Sequence, residues 1–270
     1  MKYTIFNKSG FNTLLVAAVL LFSSCKQELA EPTVDPAQES YVAVHNFALL
    51  AGTTSSVFVD NAQLMLGGRN VALAVGGSLL GNYIGVNPGN VTVGVRTTAG
   101  TANYAARTVG VAKTAYTSFF AYDTLTTGGT AKMLVLTNNM KAADTATSNI
   151  RFLHLSPNAG TINVVLTRTL NQFGLAATGT INLSNIPYVG ATPIPNEAAL
   201  SAFTNIPAGT YRVDVLSGTT SLLPPPPAPL PVITLRETKN YSIVARGFAP
   251  PRTSIPAGQT LGVTLILHNP

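Results

Sequence analysis

From residue 40 onward, apolar residues recur at every second position in short runs. Val42 and Val44 begin the series, followed by Val57 and Val59, then Val91, Val93 and Val95. Ile162, Val164 and Leu166 continue it, as do Tyr211, Val213 and Val215. A period of two turns one face of a strand toward a core and the other toward solvent. The intervening segments are dense in Gly, Asn, Pro and Thr, and none of them carries a helical apolar period with charged faces. The chain is therefore predicted to be all-β.

The alternation is itself repeated. Tyr41-Val42-Ala43-Val44-His45-Asn46 aligns with Ile150-Arg151-Phe152-Leu153-His154-Leu155, and Asn87-Pro88-Gly89 with Pro207-Ala208-Gly209. Tyr116-Thr117-Ser118-Phe119-Phe120 aligns with Tyr241-Ser242-Ile243-Val244-Ala245, and Leu134 to Asn139 with the segment ending at Asn269. The order is kept while the spacing grows: His45 to Gly89 is 44 residues and His154 to Gly209 is 55. Two units follow, 40–141 and 149–270, joined by 142–148. Each has the usual size of a β-sandwich with its own core.

The second unit carries a family resemblance. Ile150-Arg151-Phe152-Leu153-His154-Leu155-Ser156-Pro157-Asn158-Ala159, Ile206-Pro207-Ala208-Gly209-Thr210-Tyr211-Arg212-Val213 and the stretch Leu235 to Gly247 resemble three ordered motifs of domain-of-unknown-function family 4397. The first unit matches them only weakly. The resemblance implies tandem, exported, Ig-like sandwiches, common in lipoproteins, with no assigned chemistry. Asn158 and Asn163 stand where the family commonly has Asp, which weakens any cation site built there.

The N-terminus points to export. Lys2 and Lys8 precede the apolar run Leu14 to Phe22, far short of the ~20 residues that span a bilayer, and Ser23-Ser24-Cys25 follows. Residues 1–24 read as a signal peptide. The ending resembles the lipobox of bacterial lipoproteins, with Phe22 where Leu is usual, and the chain's single cysteine, Cys25, becomes the lipid attachment residue. Residues 25–39 hold four of the ten acids among prolines, an acidic tether. This stretch reads either as a plain solvated linker or, by its resemblance to surface-exported lipoproteins of the Bacteroidetes type, as an export signal. The location expected is the cell envelope, on the outer membrane.

Composition narrows the chemistry. Charged residues make 10% of the chain, against about 25% in ordinary soluble domains. Removal of residues 1–24 takes Lys2 and Lys8 and lowers the net charge from +6 to +4. The remaining cations are scattered, so nucleic-acid binding is excluded. No G-x-S-x-G elbow, Walker A loop, EF-hand loop or C-x-x-C pair occurs, and Gly67-Gly68, Gly76-Gly77 and Gly128-Gly129 read as hairpin turns. No catalytic residue, metal ligand or cofactor is assigned. His45 and His154 align at the ends of equivalent strands and read as structural hydrogen-bonding groups, with His268 a neighbour open to His154. Tyr83, Tyr104, Tyr116, Tyr122 and Tyr188 could supply stacking faces. The run Pro224 to Pro231 reads as a rigid polyproline insert or a docking segment. Asp123-Thr124-Leu125 and Asp144-Thr145-Ala146 resemble O-glycosylation sequons, with Thr124 and Thr145 as acceptors. The reading is a lipid-anchored envelope protein with a non-catalytic binding or display role. The alternative is an accessory glycan-binding lipoprotein of a polysaccharide-uptake system, and the partner is a glycan or an envelope protein.

Overall fold

The computed structural model describes residues 39–49, 54–66, 69–70, 72–74, 77–78, 83–98, 100–125, 130–191, 195–223, 229–251, 255 and 258–268. Cys25, the signal peptide, nearly all of the tether and residues 224–228 of the proline run lie outside them, as do Gly67-Gly68, Gly76 and Gly128-Gly129. The protein is all-β, and residues 36–270 form one compact unit.

The first half contains β1 (Ser40–Asn46), β2 (Thr54–Val59), β3 (Ala62–Gln63), β4 (Met65–Leu66), β5 (Arg69–Asn70), β6 (Ala72–Ala74), β7 (Gly77–Ser78), β8 (Ile84–Val86), β9 (Gly89–Thr97), β10 (Ala105–Val111), β11 (Tyr116–Tyr122) and β12 (Lys132–Asn138). One sheet runs β12-β11-β1 with β7 and β8 on the far side of β1; the other runs β10-β9-β2 with β3 and β6 on β2. The second half contains β13 (Thr147–His154), β14 (Ile162–Asn171), β15 (Thr180–Ile186), β16 (Thr204–Pro207), β17 (Gly209–Ser217), β18 (Thr220–Ser221), β19 (Val232–Leu235), β20 (Asn240–Arg246) and β21 (Gly262–Leu267), with a short α-helix, α1 (Glu197–Ser201), and a 3-10 turn at Val189–Ala191. Its sheets run β16-β13-β20-β21 and β15-β14-β17, the latter extended by β18 and β19 on β17. In both halves the first strand pairs in parallel with the penultimate long one, β1 with β11 and β13 with β20.

Each half encloses a core between its two sheets. Val42, Val44, Val57, Val93, Val95 and Phe119 fill the first; Ile150, Val164, Leu166, Val213, Tyr211 and Ile243 fill the second. A third core lies between the halves: Phe47, Phe120, Tyr122, Leu134 and Leu136 meet Leu153, Leu155, Val244 and Ile266. The β12-β11-β1 and β16-β13-β20-β21 sheets are thus inner layers, covered on both faces. Their central strands are buried in unbroken runs, Thr117 to Tyr122 in β11 and Asn240 to Ala245 in β20. The outer strands β10 and β15 alternate between more and less exposed positions. Continuous against alternating burial is the signature of two covered faces against one.

The repeated glycines have a backbone reason. Gly89 and Gly209 open β9 and β17 with φ of +123° and +151°, and a Cβ at Gly209 would lie 2.2 Å from the Leu170 carbonyl oxygen.

The histidine alignment is corrected by the structure. On the sandwich-core face, Val42 pairs with Thr117 and Ile150 with Tyr241, so Val42 corresponds to Ile150, one residue off the sequence alignment. His45 then corresponds to Leu153, and His154 to Asn46. A one-residue slip turns every side chain to the other face, and matching residue identities does not sense faces. The hydrogen bonds agree: Asn46 Oδ1 accepts from Ala48 N at 3.2 Å, and His154 Nδ1 accepts from Ser156 N at 3.3 Å.

Candidate functional site

Two places in the molecule concentrate unusual chemistry. The first is the polar part of the seam between the inner sheets. By the same register, Ser118 corresponds to Ser242, Asn138 to His268, Tyr83 to Phe203 and Ala43 to Arg151. Asn138 Nδ2 donates to Ser118 Oγ at 2.8 Å, and Ser242 Oγ lies 2.7 Å from His268 Nε2. Arg151 Nε donates to Ser242 Oγ at 2.6 Å, and its Nη2 stands 3.4 Å from His268 Nε2. A guanidinium only donates, so His268 Nε2 is an acceptor and its Nδ1–H donates to Tyr83 Oη at 2.9 Å. Tyr83 also accepts from Asn138 Nδ2 at 2.7 Å. Tyr83 of the first half and His268 of the second are thereby tied across the seam.

The electrostatics of this cluster follow from burial. Arg151 is 4% exposed, and no carboxylate pairs with it among the described residues. Desolvation lowers its pKa to about 10, so it stays charged, with Nη1 unpartnered and its guanidinium carbon 4.9 Å from the Phe203 ring centre. His45 stacks on Phe120 at 4.6 Å, and neither ring nitrogen has a hydrogen-bond partner. Desolvation, then the nearby Arg151 charge, lowers the His45 pKa to about 3. His268 is pushed well below the usual histidine value by the same causes and by His45. Burial raises Tyr83 to about 12. These groups are neutral, apart from Arg151, and all but the half-buried Tyr83 are shut off from solvent; they position one sandwich on the other. His268 joins His45 and Arg151 rather than His154, whose Nε2 lies 2.7 Å from the Gly160 carbonyl.

A second cross-link closes the edge of the first inner sheet. α1 lies in the β15–β16 connection, with Asn196 Oδ1 accepting from Ala199 N at its start. Glu197 receives both ends of the Arg107 guanidinium, Nη2 at 2.9 Å, and its Oε1 accepts from Val135 N at 3.0 Å. The edge strand β12 is thereby covered, the usual remedy for an open edge.

The second place is exposed. The β14–β15 hairpin ends in Asn171-Gln172-Phe173-Gly174-Leu175, with Phe173 75% and Leu175 64% exposed. Asn171 Oδ1 accepts from Phe173 N at 2.9 Å and Leu175 N at 3.0 Å, while Asn171 N donates to the Leu175 carbonyl at 2.8 Å. Gly174 supplies φ of +77°. The turn is built, and it holds two large apolar side chains outward. An apolar pair around a Gly in a turn was visible in the sequence but breaks no strand pattern, so alternation passed over it.

Other predicted residues are placed as follows. Thr145 is exposed in the linker, where Thr147 N donates to the Asp144 carbonyl; Thr124 is half-buried beside Asp123, whose carboxylate is 2.9 Å from Lys132 Nζ. Tyr104 and Tyr122 are buried and Tyr83 is held in the seam, so these three offer no stacking face. Tyr116 is itself stacked on Tyr41 at 4.8 Å. Among the described residues no three His, Cys, Asp or Glu side chains cluster as metal ligands, and no helix is long and apolar enough to cross a membrane.

Residues 33–165 match the family model of the domain of unknown function DUF4397. The match covers the first sandwich and ends within β14 of the second. It thus falls mainly on the half that resembled the family motifs weakly in sequence. No curated protein matches the chain. Solved structures similar to it include a leucine-rich repeat protein from Bacteroides thetaiotaomicron, at 12% identity and a TM-score of 0.22, covering 82% of this chain and 27% of that one. A candidate cell adhesion protein from Bacteroides ovatus shows 12% identity and a TM-score of 0.23, covering 86% of this chain and 96% of that one. The TIE protein of Bacillus anthracis shows 9% identity and a TM-score of 0.20, covering 86% and 44%.

Proposed function

We propose that this chain is a non-catalytic binding or display protein of the bacterial cell envelope, held to a membrane by lipid on Cys25. The observation that carries the role is how the polar groups of the body are spent. His45, His268, Arg151 and Tyr83 serve the seam, His154 caps a strand end, and Glu197 and Arg107 close a sheet edge. Two sandwiches locked into one block make a stiff carrier for surface loops. The anchor is supported by the order of Lys2, Lys8, the apolar run and Cys25 in the sequence. Thr145, exposed on the linker, fits the role of a glycan acceptor better than half-buried Thr124.

Labelling cells with an alkyne-bearing fatty acid tests the anchor. Label and membrane retention are expected in the unaltered chain and lost in Cys25→Ala; retention of both in the variant refutes it. Intact-mass measurement of the native protein tests Thr145, where a mass of lipid alone removes the glycan. Glycan-array binding by the chain would replace the display reading with the accessory glycan-binding one.

A further inference from the structure

We infer that the Phe173–Leu175 turn is a membrane-contact tip that orients the body on the lipid surface to which Cys25 is anchored. This rests on the anchored reading above. Asn171 pairs with Gly209, Gly209 with Leu235, and the neighbouring Arg236 carbonyl accepts from Ser148 Oγ at the start of β13. At that same end Asn149 pairs with Asn240, whose carbonyl accepts from His268 N. His268 is bound through Tyr83 to Asn138 at the end of β12, and Asn138 pairs with Tyr116 at the start of β11, beside Tyr41. The chain enters the described body there, at Glu39, whose carbonyl accepts from Thr114 N. One end of the molecule therefore gathers Glu39, the linker between the sandwiches and the exposed turn.

Covalent distance agrees. Cys25 precedes Glu39 by fourteen residues, which span at most about 50 Å when fully extended. A lipid on Cys25 keeps this end of the body within reach of the bilayer, and tethering makes a second contact effectively intramolecular. The chemistry of the end suits a lipid headgroup layer. Phe173 and Leu175 project as an aromatic and an aliphatic wedge, with Leu170 36% exposed behind them. Lys113, Lys141, Arg168, Arg236 and Lys239 stand at this end of the body against Glu39, Asp144 and Glu237, and the tether adds Lys26 against Glu28, Glu31 and Asp35, so the charges balance and the contact rests on the apolar pair. At the corresponding hairpin of the first sandwich β2 turns directly into β3 through Asp60 and Asn61, with no apolar pair held outward.

The chain contains no tryptophan, so Phe173→Trp places a single indole at the tip. The full-length acylated protein is reconstituted in vesicles of phosphatidylethanolamine and phosphatidylglycerol, with and without brominated acyl chains. The expected result is blue-shifted emission that brominated lipid quenches. Thr98→Trp, at the opposite end of β9 from Gly89, should keep a water-exposed spectrum. Phe173→Ser with Leu175→Ser in the lipid-free Cys25→Ala chain should lower vesicle partitioning by about tenfold or more. Unquenched, water-exposed emission from a vesicle-bound Phe173→Trp chain overturns the tip and leaves the anchor standing. Equal membrane retention of Cys25→Ala overturns the anchor, and quenching of Phe173→Trp in that chain still supports the tip. A blue shift produced only by added envelope protein, never by vesicles, overturns the membrane assignment.

Discussion

The two sandwiches share one plan and differ where they face each other. Their own cores are filled alike, by Val and Phe in the first and Ile, Val and Leu in the second. At the seam, matching positions hold unlike residues: Ala43 and Arg151, His45 and Leu153, Asn138 and His268, Tyr83 and Phe203. Each serine, Ser118 and Ser242, is kept and meets a different partner. A repeat packed on its copy needs complementary faces, so the faces diverge while the cores hold. The connections diverge too. The second half lengthens its β14–β15 hairpin into the exposed tip and sends α1 onto the first half's edge. The first half supplies Tyr83 in return.

The hardest break of this comparison is a pair of neighbours on opposite faces of β11. Phe119 lies in the first sandwich's core and Phe120 in the seam, both fully buried. Phe119→Ala and Phe120→Ala should each cost about 3–5 kcal/mol in denaturant unfolding. A cost for Phe120→Ala below about 1 kcal/mol would mean that the seam is an incidental contact between independent domains.

Acid should find the seam next. The His45 pKa is lowered to about 3 in the fold from 6.5, and His268 and His154 are lowered as well. A histidine held neutral contributes stability that is complete above pH 6.5. It is lost as pH falls toward 3, because the unfolded chain binds the proton first. The slope approaches about 1.4 kcal/mol per pH unit for each such group. His45→Leu, the residue found at Leu153, should flatten the curve; an unchanged slope would take His45 out of this account.

Two milder changes sharpen the asymmetry. Arg151→Met removes a buried, uncompensated charge and should be neutral or stabilising by about 1–3 kcal/mol, whereas Ser242→Ala should cost about 1–3 kcal/mol by leaving Arg151 Nε and His268 Nε2 short of a partner. Marked destabilisation by Arg151→Met would show that the cation itself holds the seam. Last, Phe173→Ser should move the unfolding midpoint by no more than about 0.5 kcal/mol, since its side chain is 75% exposed.

Much of this was legible in particular residues. The valines of β9 and the alternation in β14 and β17 announced strands, and Gly89 and Gly209 marked turns into them because only a residue without Cβ takes that backbone. The histidines misled, because a shared letter at His45 and His154 outweighed the face on which each lies. Arg151 inside an apolar strand, and the unbroken runs Phe119-Phe120-Ala121-Tyr122 and Ile243-Val244-Ala245, carried the signal of a second covered face. Nothing local says what covers it.

The sequence by itself determined that the chain is all-β and that its strand pattern recurs, since those follow from periodicity and from turn chemistry within a few residues. The Cys25 pattern is equally local. Only the tertiary structure decided that the two repeats share a third core, that His268 meets Arg151 rather than His154, and that the Phe173 turn stands at the Glu39 end. Each depends on contacts between residues far apart in the chain, which are fixed when whole sheets find one another's faces.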